Sequence, residues 1–131
     1  MKRQMALSNE NLQLEVDETA NVLRVRYVGH VSARSMEAAL LGAGRILDLM
    51  RPGFLVLTDM SRVEAFDKIC VPYIGKLMEL FMAKGMGSVV RAVPDPTKDI
   101  GFNILSRFHY GSGVSVVTFE SLDEAEAYIR G

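Results

Sequence analysis

The sequence predicts an α/β fold in which helices flank a mixed β-sheet. An apolar run without alternation, residues 54–57, is typical of a strand that is buried on both faces. After it, amphipathic helices alternate with apolar strands, which favours parallel pairing through right-handed crossovers. Residues 12–16 and 22–28 instead alternate with period two around a polar turn, which predicts an antiparallel hairpin. We therefore expect about five strands and about four helices, in the order ββαβαβαβα.

Helix signals place the first two helices. Ser32 is a good N-cap for a helix over residues 33–50, which Pro52 and Gly53 end. Gly42 and Gly44 lie inside this helix and indicate a close approach to the sheet. Pro72 suits the first turn of a second helix, whose apolar residues recur at helical spacing. Those residues are Ile74, Leu77, Met78, Phe81 and Met82.

Two more strands and two more helices complete the predicted order. Residues 88–93 and 114–119 are apolar strands. A helix over 98–109 lies between them, and Ser121 with Glu124 forms a capping box for the last helix. The predicted buried stripe of the third helix is Ile100, Ile104, Leu105 and Phe108.

Composition limits the classes of protein. The 131 residues suit a single domain over 1–131, with 1–10 as a loose N-terminal lead-in. A net charge of -1 gives no electrostatic footprint for nucleic acid. No apolar run reaches the roughly 18 to 20 residues of a membrane span. The single cysteine, Cys70, excludes an intrachain disulfide and favours the cytoplasm.

Two short motifs carry a resemblance to a known family. The central strand ends in Asp59-Met60-Ser61, and Phe66-Asp67-Lys68-Ile69 follows at a matching distance. The last strand is followed by Ser121-Leu122-Asp123-Glu124-Ala125. With the element order, these motifs resemble the STAS fold, the family of anti-sigma-factor antagonists of the SpoIIAA type.

The resemblance implies a non-enzymatic bacterial regulatory module that docks a protein partner, such as an anti-sigma factor or a kinase-like regulator. Docking would use the loop 59–71 and the helix after Pro72. The phosphorylated serine of the family would fall at Lys68, which cannot accept phosphate in the same way, so the usual phosphoswitch is not expected. Some divergent relatives are grouped with SEC14-like carriers, which makes a carrier or sensor of a small apolar ligand or lipid the alternative.

Four residues are the candidate docking site: Asp59, Ser61, Asp67 and Lys68. The two aspartates could instead form a carboxylate pair for acid/base work or a hard metal, or they could cap loop and helix backbone donors. Ser61 is a candidate phosphorylation site or a loop cap.

Other reactive residue types form no catalytic or metal-binding motif, so we expect neither an enzyme nor a cofactor. Cys70 could be a nucleophile activated by a helix N-terminus and Lys68, or a small buried hydrophobe. His30 and His109 lie far apart in the sequence. Arg24 and Arg26 occupy the wetter face of the hairpin, either for solubility or as a basic patch. The open edge of the hairpin suggests a homodimer.

The methionines of the second helix also have two interpretations. Met78 and Met82, with Met86 after them, could form an adaptable binding groove. Packing of the same stripe into the core is the other interpretation.

Overall fold

A computed structural model describes residues 6–98 and 100–131, in which six strands form one mixed sheet flanked by four helices. This confirms the predicted α/β class, with six strands in place of about five. The strands are β1 (Ala6–Ser8), β2 (Leu12–Asp17), β3 (Val22–Val31), β4 (Leu55–Phe66), β5 (Ser88–Ala92) and β6 (Ser115–Phe119). The helices are α1 (Ala33–Leu47), α2 (Val71–Ala83), α3 (Ile100–Tyr110) and α4 (Leu122–Arg130).

The sheet follows the chain order, β1-β2-β3-β4-β5-β6. The first three strands pair antiparallel, as expected for a hairpin, and β3 to β6 pair parallel. Each parallel connection crosses over through a helix, which is how parallel strands are joined in α/β folds.

The additional strand is β1. The expected loose lead-in over residues 1–10 is wrong for residues 6–8, which pair with β2, while residues 1–5 lie outside the described residues. Three residues are too few to show a period in the sequence. A Cβ on Gly42 would lie 2.8 Å from Leu7 Cδ1, so the close approach predicted for α1 is to β1. The same prediction is wrong for Gly44, where nothing lies within 4 Å.

Strand β4 is the interior strand that the sequence predicts. Phe54, just before the strand, and Val56 and Leu57 within it are at most 1% exposed, and Leu55 between them is half-buried. The strand does not end in a loop after Asp59, however, but continues to Phe66. The predicted loop over 59–71 is therefore wrong for residues 59–66. Its polar residues can stay in a strand because β3 is ten residues long and pairs with this part of β4 as far as Phe66, through two register shifts.

The far ends of β3 and β4 form a two-stranded extension of the sheet. Strand β2 pairs with β3 only as far as Tyr27, and β5 pairs with β4 only as far as Asp59. As strand partners, residues 28–31 have only residues 62–66; one register shift precedes this segment, between Arg26 and Val28, and a second lies within it, between Gly29 and His30. We call this extension the β3–β4 arm.

Two layers of helices cover the sheet. The apolar cores of the two faces are separate: one packs against α1, α2 and α3, and the other, around Leu57 and Val90, packs against α4. Ser121 caps α4 by accepting the Glu124 N–H at 3.1 Å, which confirms the predicted N-cap. Within the described ranges, none of the four helices is both long and apolar enough to cross a bilayer.

Helix α3 packs on a different face from the predicted one. Its buried residues are Phe102, Ser106 and Tyr110, whereas Ile104 is 66% exposed. Leu105 is half-buried, and the side chains of Ile100 and Phe108 lie outside the described residues. The reason is Arg91 of β5, which is 1% exposed. Its guanidinium donates to the hydroxyl of Ser106 and to Asn103 Oδ1, so a polar face of α3 turns to the sheet.

Candidate docking site at the tip of the arm

Asp59 is buried within β4, where neighbouring groups hold its carboxylate. Arg26, opposite it on β3, donates from Nε to Oδ2 at 2.9 Å. The backbone N–H and the hydroxyl of Ser61 donate to Oδ1 at 2.9 and 2.6 Å. The sequence predicts that Asp59 presents its charge to a partner. Asp59 is only 4% exposed, however, so it stabilises the local strand geometry instead.

Ser61 is exposed on the outer part of β4, next to Asp59. Its role as a phosphorylation site stays a prediction. A phosphate on this hydroxyl would place about two negative charges beside the Asp59 carboxylate and remove the hydrogen bond between them. The site is thus accessible, and modification would act on the Asp59 and Arg26 pair.

Asp67 lies at the tip of the β3–β4 arm, far from Asp59. Its N–H donates to the Val31 carbonyl at 3.0 Å, and its Oδ1 lies 2.5 Å from His30 Nε2. At about 3.3 Å per residue, β4 carries the two aspartates roughly 25 Å apart. The structure therefore does not bring them together as a carboxylate pair for catalysis or for a shared metal ion.

The chain leaves the arm through a short turn that we call the docking segment, residues 67–72. It exposes Lys68 and Pro72 together with two branched apolar side chains, Ile69 at 68% and Val71 at 48%. Residues 68–70 form one 3-10 turn, and α2 begins at Val71. A short apolar surface with one adjacent cation thus stands at the N-terminus of α2.

Cys70 anchors the docking segment to the core. Its side chain is buried, its N–H donates to the Asp67 carbonyl at 2.9 Å, and its thiol contacts the Val31 carbonyl at 3.2 Å. Burial raises the pKa of the Cys70 thiol, and the charge of Asp67 raises it further. An activated nucleophile needs an accessible thiol with a lowered pKa, so the complete burial of Cys70 favours the buried hydrophobe over the nucleophile.

The two histidines have separate carboxylate partners. His30 contacts Asp67, and His109 Nδ1 of α3 lies 2.5 Å from Glu79 Oε2 of α2. Among residues 6–98 and 100–131, no group of three or more His, Cys, Asp and Glu side chains is arranged to hold a metal ion.

Arg24 and Arg26 are half-buried under α4, so the idea that they only keep the surface soluble is wrong. Arg24 donates to both carboxylate oxygens of Glu126, from Nε at 3.0 Å and from Nη2 at 2.8 Å. Arg26 binds Asp59, as described above. Both line a small cleft of about 60 Å³ between the sheet and α4. These pairs leave no local signal in the sequence, because the partners lie 102 and 33 residues away.

The Arg24 ion pair gives a testable pH dependence. The hydrogen bond from Arg24 lowers the pKa of Glu126, and the opposite charge lowers it further. A carboxyl with a lowered folded-state pKa stabilises the fold above its unfolded pKa of about 4.3, and this stability is lost as the pH falls through the folded value.

We therefore expect Glu126→Gln to cost about 1 kcal/mol at pH 7 and progressively less below pH 4.5, because the pair is partly exposed. Urea unfolding of both proteins across this pH range measures the difference. A difference in stability that stayed constant down to about pH 3 would contradict the pairing.

The enclosed space between the sheet and helices α2 and α3 is too small for an apolar ligand. A cavity between the sheet and helices α2 and α3, bordered by Tyr27, Met78 and Phe102, measures about 10 Å³. A single water needs about that volume, so no lipid fits there in this conformation. Met78 and Met86 are buried and Met82 is half-buried, which favours core packing over a methionine groove.

The element order, the sheet order and the strand pairing can now be compared with solved structures. An uncharacterized protein of the DUF3478 family from Shewanella loihica, itself described as having a SpoIIAA-like fold, superimposes with a TM-score of 0.69. The match has 15% identity and covers 96% of this chain and 99% of that one. The chain has a SpoIIAA-like fold. This confirms the resemblance to the STAS family as far as the fold.

Two further SpoIIAA-like structures agree. The anti-sigma factor antagonist SpoIIAA in its unphosphorylated form matches with a TM-score of 0.60, 18% identity and coverage of 92% and 98%. An anti-sigma factor antagonist from Mycobacterium paratuberculosis matches with a TM-score of 0.56 and 17% identity, and the match covers 95% of this chain and 100% of that one. Neither a protein-family model nor a curated protein matches the sequence. Identities this low show the shared fold alone.

Proposed function

We propose that the protein is a non-enzymatic regulatory module that docks a partner protein through the docking segment and the adjoining exposed face of α2. The observation that carries the proposal is the exposure of Ile69 and Val71 at the start of α2, beside Lys68. Single exposed apolar residues are common on protein surfaces, but here two lie within three residues, next to an exposed proline, which concentrates apolar surface in one short segment.

The docking segment is held in one shape by its own hydrogen bonds. The Asp67 N–H and the Cys70 thiol both bind the Val31 carbonyl, and Cys70 is buried beneath the exposed pair. A preformed surface loses less conformational entropy on binding than a mobile loop does. This supports docking without a large rearrangement of the segment.

The partner's surface follows from the chemistry of the segment. Ile69 and Val71 fit a shallow apolar pocket, and the exposed Lys68 favours a carboxylate at its rim. Asp67 already contacts His30, so it stabilises the docking segment and contributes less than Lys68 to the charge that a partner meets. The partner class we propose is an anti-sigma factor or a kinase-like regulator, because two solved neighbours of the same fold are named anti-sigma factor antagonists.

Regulation at this site would differ from a serine switch. Lys68 gives the segment a constant positive charge where a phosphoserine would bring about two negative charges. If phosphorylation occurs, we propose Ser61, which lies outside the docking segment. We place this activity in the cytoplasm, where the one thiol, Cys70, stays reduced.

Two steps test the proposal. A photo-crosslinking amino acid at position 69 should capture one protein in cells, and the same probe at Ile104, which is 66% exposed on α3, should not capture it. The captured protein is then purified and its affinity measured by calorimetry. We expect Ile69→Asp to weaken binding about 30-fold, the roughly 2 kcal/mol of an interface hot spot, and Lys68→Glu to slow association.

Ile104→Asp is the matched control, because it replaces an isoleucine of nearly equal exposure with the same charge elsewhere on the surface. All variants should keep the melting temperature of the parent, since the replaced side chains are exposed. Equal affinity of Ile69→Asp, Lys68→Glu and the parent for the captured protein would rule out this docking site.

A further inference from the structure

Strand β6 forms one edge of the sheet. In the part of the chain that the structure describes, it pairs only with β5, in parallel and without a register shift. Its opposite side borders an open groove of about 260 Å³ between β6 and α3. Val116 and Thr118 of β6, with Val114 just before the strand, line one side of that groove, and Asn103, Ser106, Arg107 and Gly111 line the other.

The edge carries none of the usual devices that prevent strands from associating. The strand reads Ser115-Val116-Val117-Thr118-Phe119, with no charged residue, no proline and no bulge. Natural edge strands are commonly protected by lysine, proline or a bulge, because their free backbone groups are a template for another strand. Four of these five residues are also β-branched or aromatic and favour a strand.

The hydrogen-bonding direction of each residue in β6 follows from one contact. The Phe119 carbonyl accepts the Val93 N–H at 2.8 Å, so Phe119 points its backbone groups to the β5 side. Since this direction alternates along a strand, Val117 and Ser115 also point to β5. Val116 and Thr118 therefore point their N–H and C=O groups away from the sheet.

We propose that β6 pairs antiparallel with β6 of a second copy of this chain, about a two-fold axis at Val117. In this register Val116 of each copy lies opposite Thr118 of the other, and both residues have outward-pointing backbone groups. They form the hydrogen-bonded pairs, while Val117 meets its own counterpart in a non-hydrogen-bonded pair. The two six-stranded sheets become one continuous sheet.

Charge and side-chain type favour a second copy as the occupant. A two-fold contact places each residue against the same strand, so a charged edge would face itself, and β6 has no charge to repel. Glu120, which follows the strand, lies at opposite ends of the pair in this register. Cross-strand contacts join β-branched residues, Val116 with Thr118 and Val117 with Val117, which is a favourable combination.

Neighbouring side chains extend the contact on the α4 face. Phe119 packs against Tyr128 with ring centroids 5.2 Å apart, and Tyr128 is 53% exposed. Phe119 would lie opposite Ser115 of the second copy, which leaves room for the two rings to cover it. The docking segment follows β4, which is separated from β6 by β5 in the sheet, and takes no part in this contact.

Thr118→Pro tests the proposal directly. Proline removes the outward N–H of residue 118 and leaves the hydrogen bonds from β6 to β5 in place, as proline on an edge strand does. Thr118→Val is the matched control, because it keeps that N–H and the branched shape. By light scattering after size exclusion, we expect the parent and Thr118→Val to be dimers and Thr118→Pro to be a monomer with a cooperative thermal transition.

Hydrogen exchange on the parent gives a second test that needs no substitution. The Val116 and Thr118 amides should exchange more slowly as protein concentration rises, whereas those of Val117 and Phe119, bonded to β5, should be protected at every concentration. A parent that is a monomer at all concentrations, with unprotected amides at 116 and 118, would overturn the proposal. A dimer that Thr118→Pro leaves intact would place the contact on another surface and overturn it equally.

Discussion

Replacing Arg91 with alanine is expected to lower the free energy of unfolding by about 3–5 kcal/mol. The guanidinium is 1% exposed and holds Ser106 and Asn103 of α3, and its carbon lies 5.8 Å above the ring of Phe102. Alanine would leave a cavity in the core and would remove the donor for a buried hydroxyl. Urea unfolding, with the slope compared between the two proteins, measures the loss.

Arg91→Met separates charge from volume. Methionine refills most of the space without a charge, so it avoids the cavity, while the Ser106 hydroxyl loses its donor in both variants. We therefore expect Arg91→Met to be at least about 2 kcal/mol more stable than Arg91→Ala. If both variants lost less than about 1 kcal/mol, Arg91 would not be what joins α3 to the sheet.

A second large effect is expected at Gly75 in α2. A Cβ at this position would lie 2.5 Å from His109 Nε2 and 2.8 Å from its Cε1. Alanine normally favours a helix over glycine by about 1 kcal/mol, but here the overlap should reverse the sign. We expect Gly75→Ala to cost about 1–3 kcal/mol, because the His109 ring must move and loses its contact with Glu79.

The double mutant tests whether the His109 ring causes the destabilisation by Gly75→Ala. In a His109→Ala background, Gly75→Ala should become neutral or stabilising, with a coupling of about 2 kcal/mol between the two sites. Gly44→Ala in α1 is the control, since nothing lies within 4 Å of a Cβ there, and it should stabilise the protein. Additive effects of the two substitutions at 75 and 109 would refute the contact.

Much of the fold could be predicted because its signals are local. The buried run before Asp59 and the N-caps at Ser32 and Ser121 are confirmed where the pattern placed them. These features depend on neighbouring residues only. Short-range patterns of apolarity and capping were enough to predict the order of helices and strands after residue 12.

The errors have long-range causes. The polar sequence after Asp59 resembles a loop, and it stays extended because β3 pairs with it from 33 residues away. The predicted buried face of α3 is wrong because the buried Arg91 draws Ser106 inward, which a pattern of apolar residues does not reveal. The residues of the candidate site lie apart for the same reason. Asp59 binds Arg26 and Asp67 contacts His30, and spacing along the chain does not reveal these partners.

The β3–β4 arm separates the sequence around position 67 from the rest of the sheet. Because residues 62–66 have β3 as their strand neighbour and β5 ends before them, insertions or exchanges near position 67 do not disturb the pairing of β5 and β6. Recognition and self-assembly would then sit on parts of the chain that can be inherited and redesigned separately. A chimera that carries the tip of another SpoIIAA-like protein could acquire that protein's binding preference while keeping its own subunit arrangement.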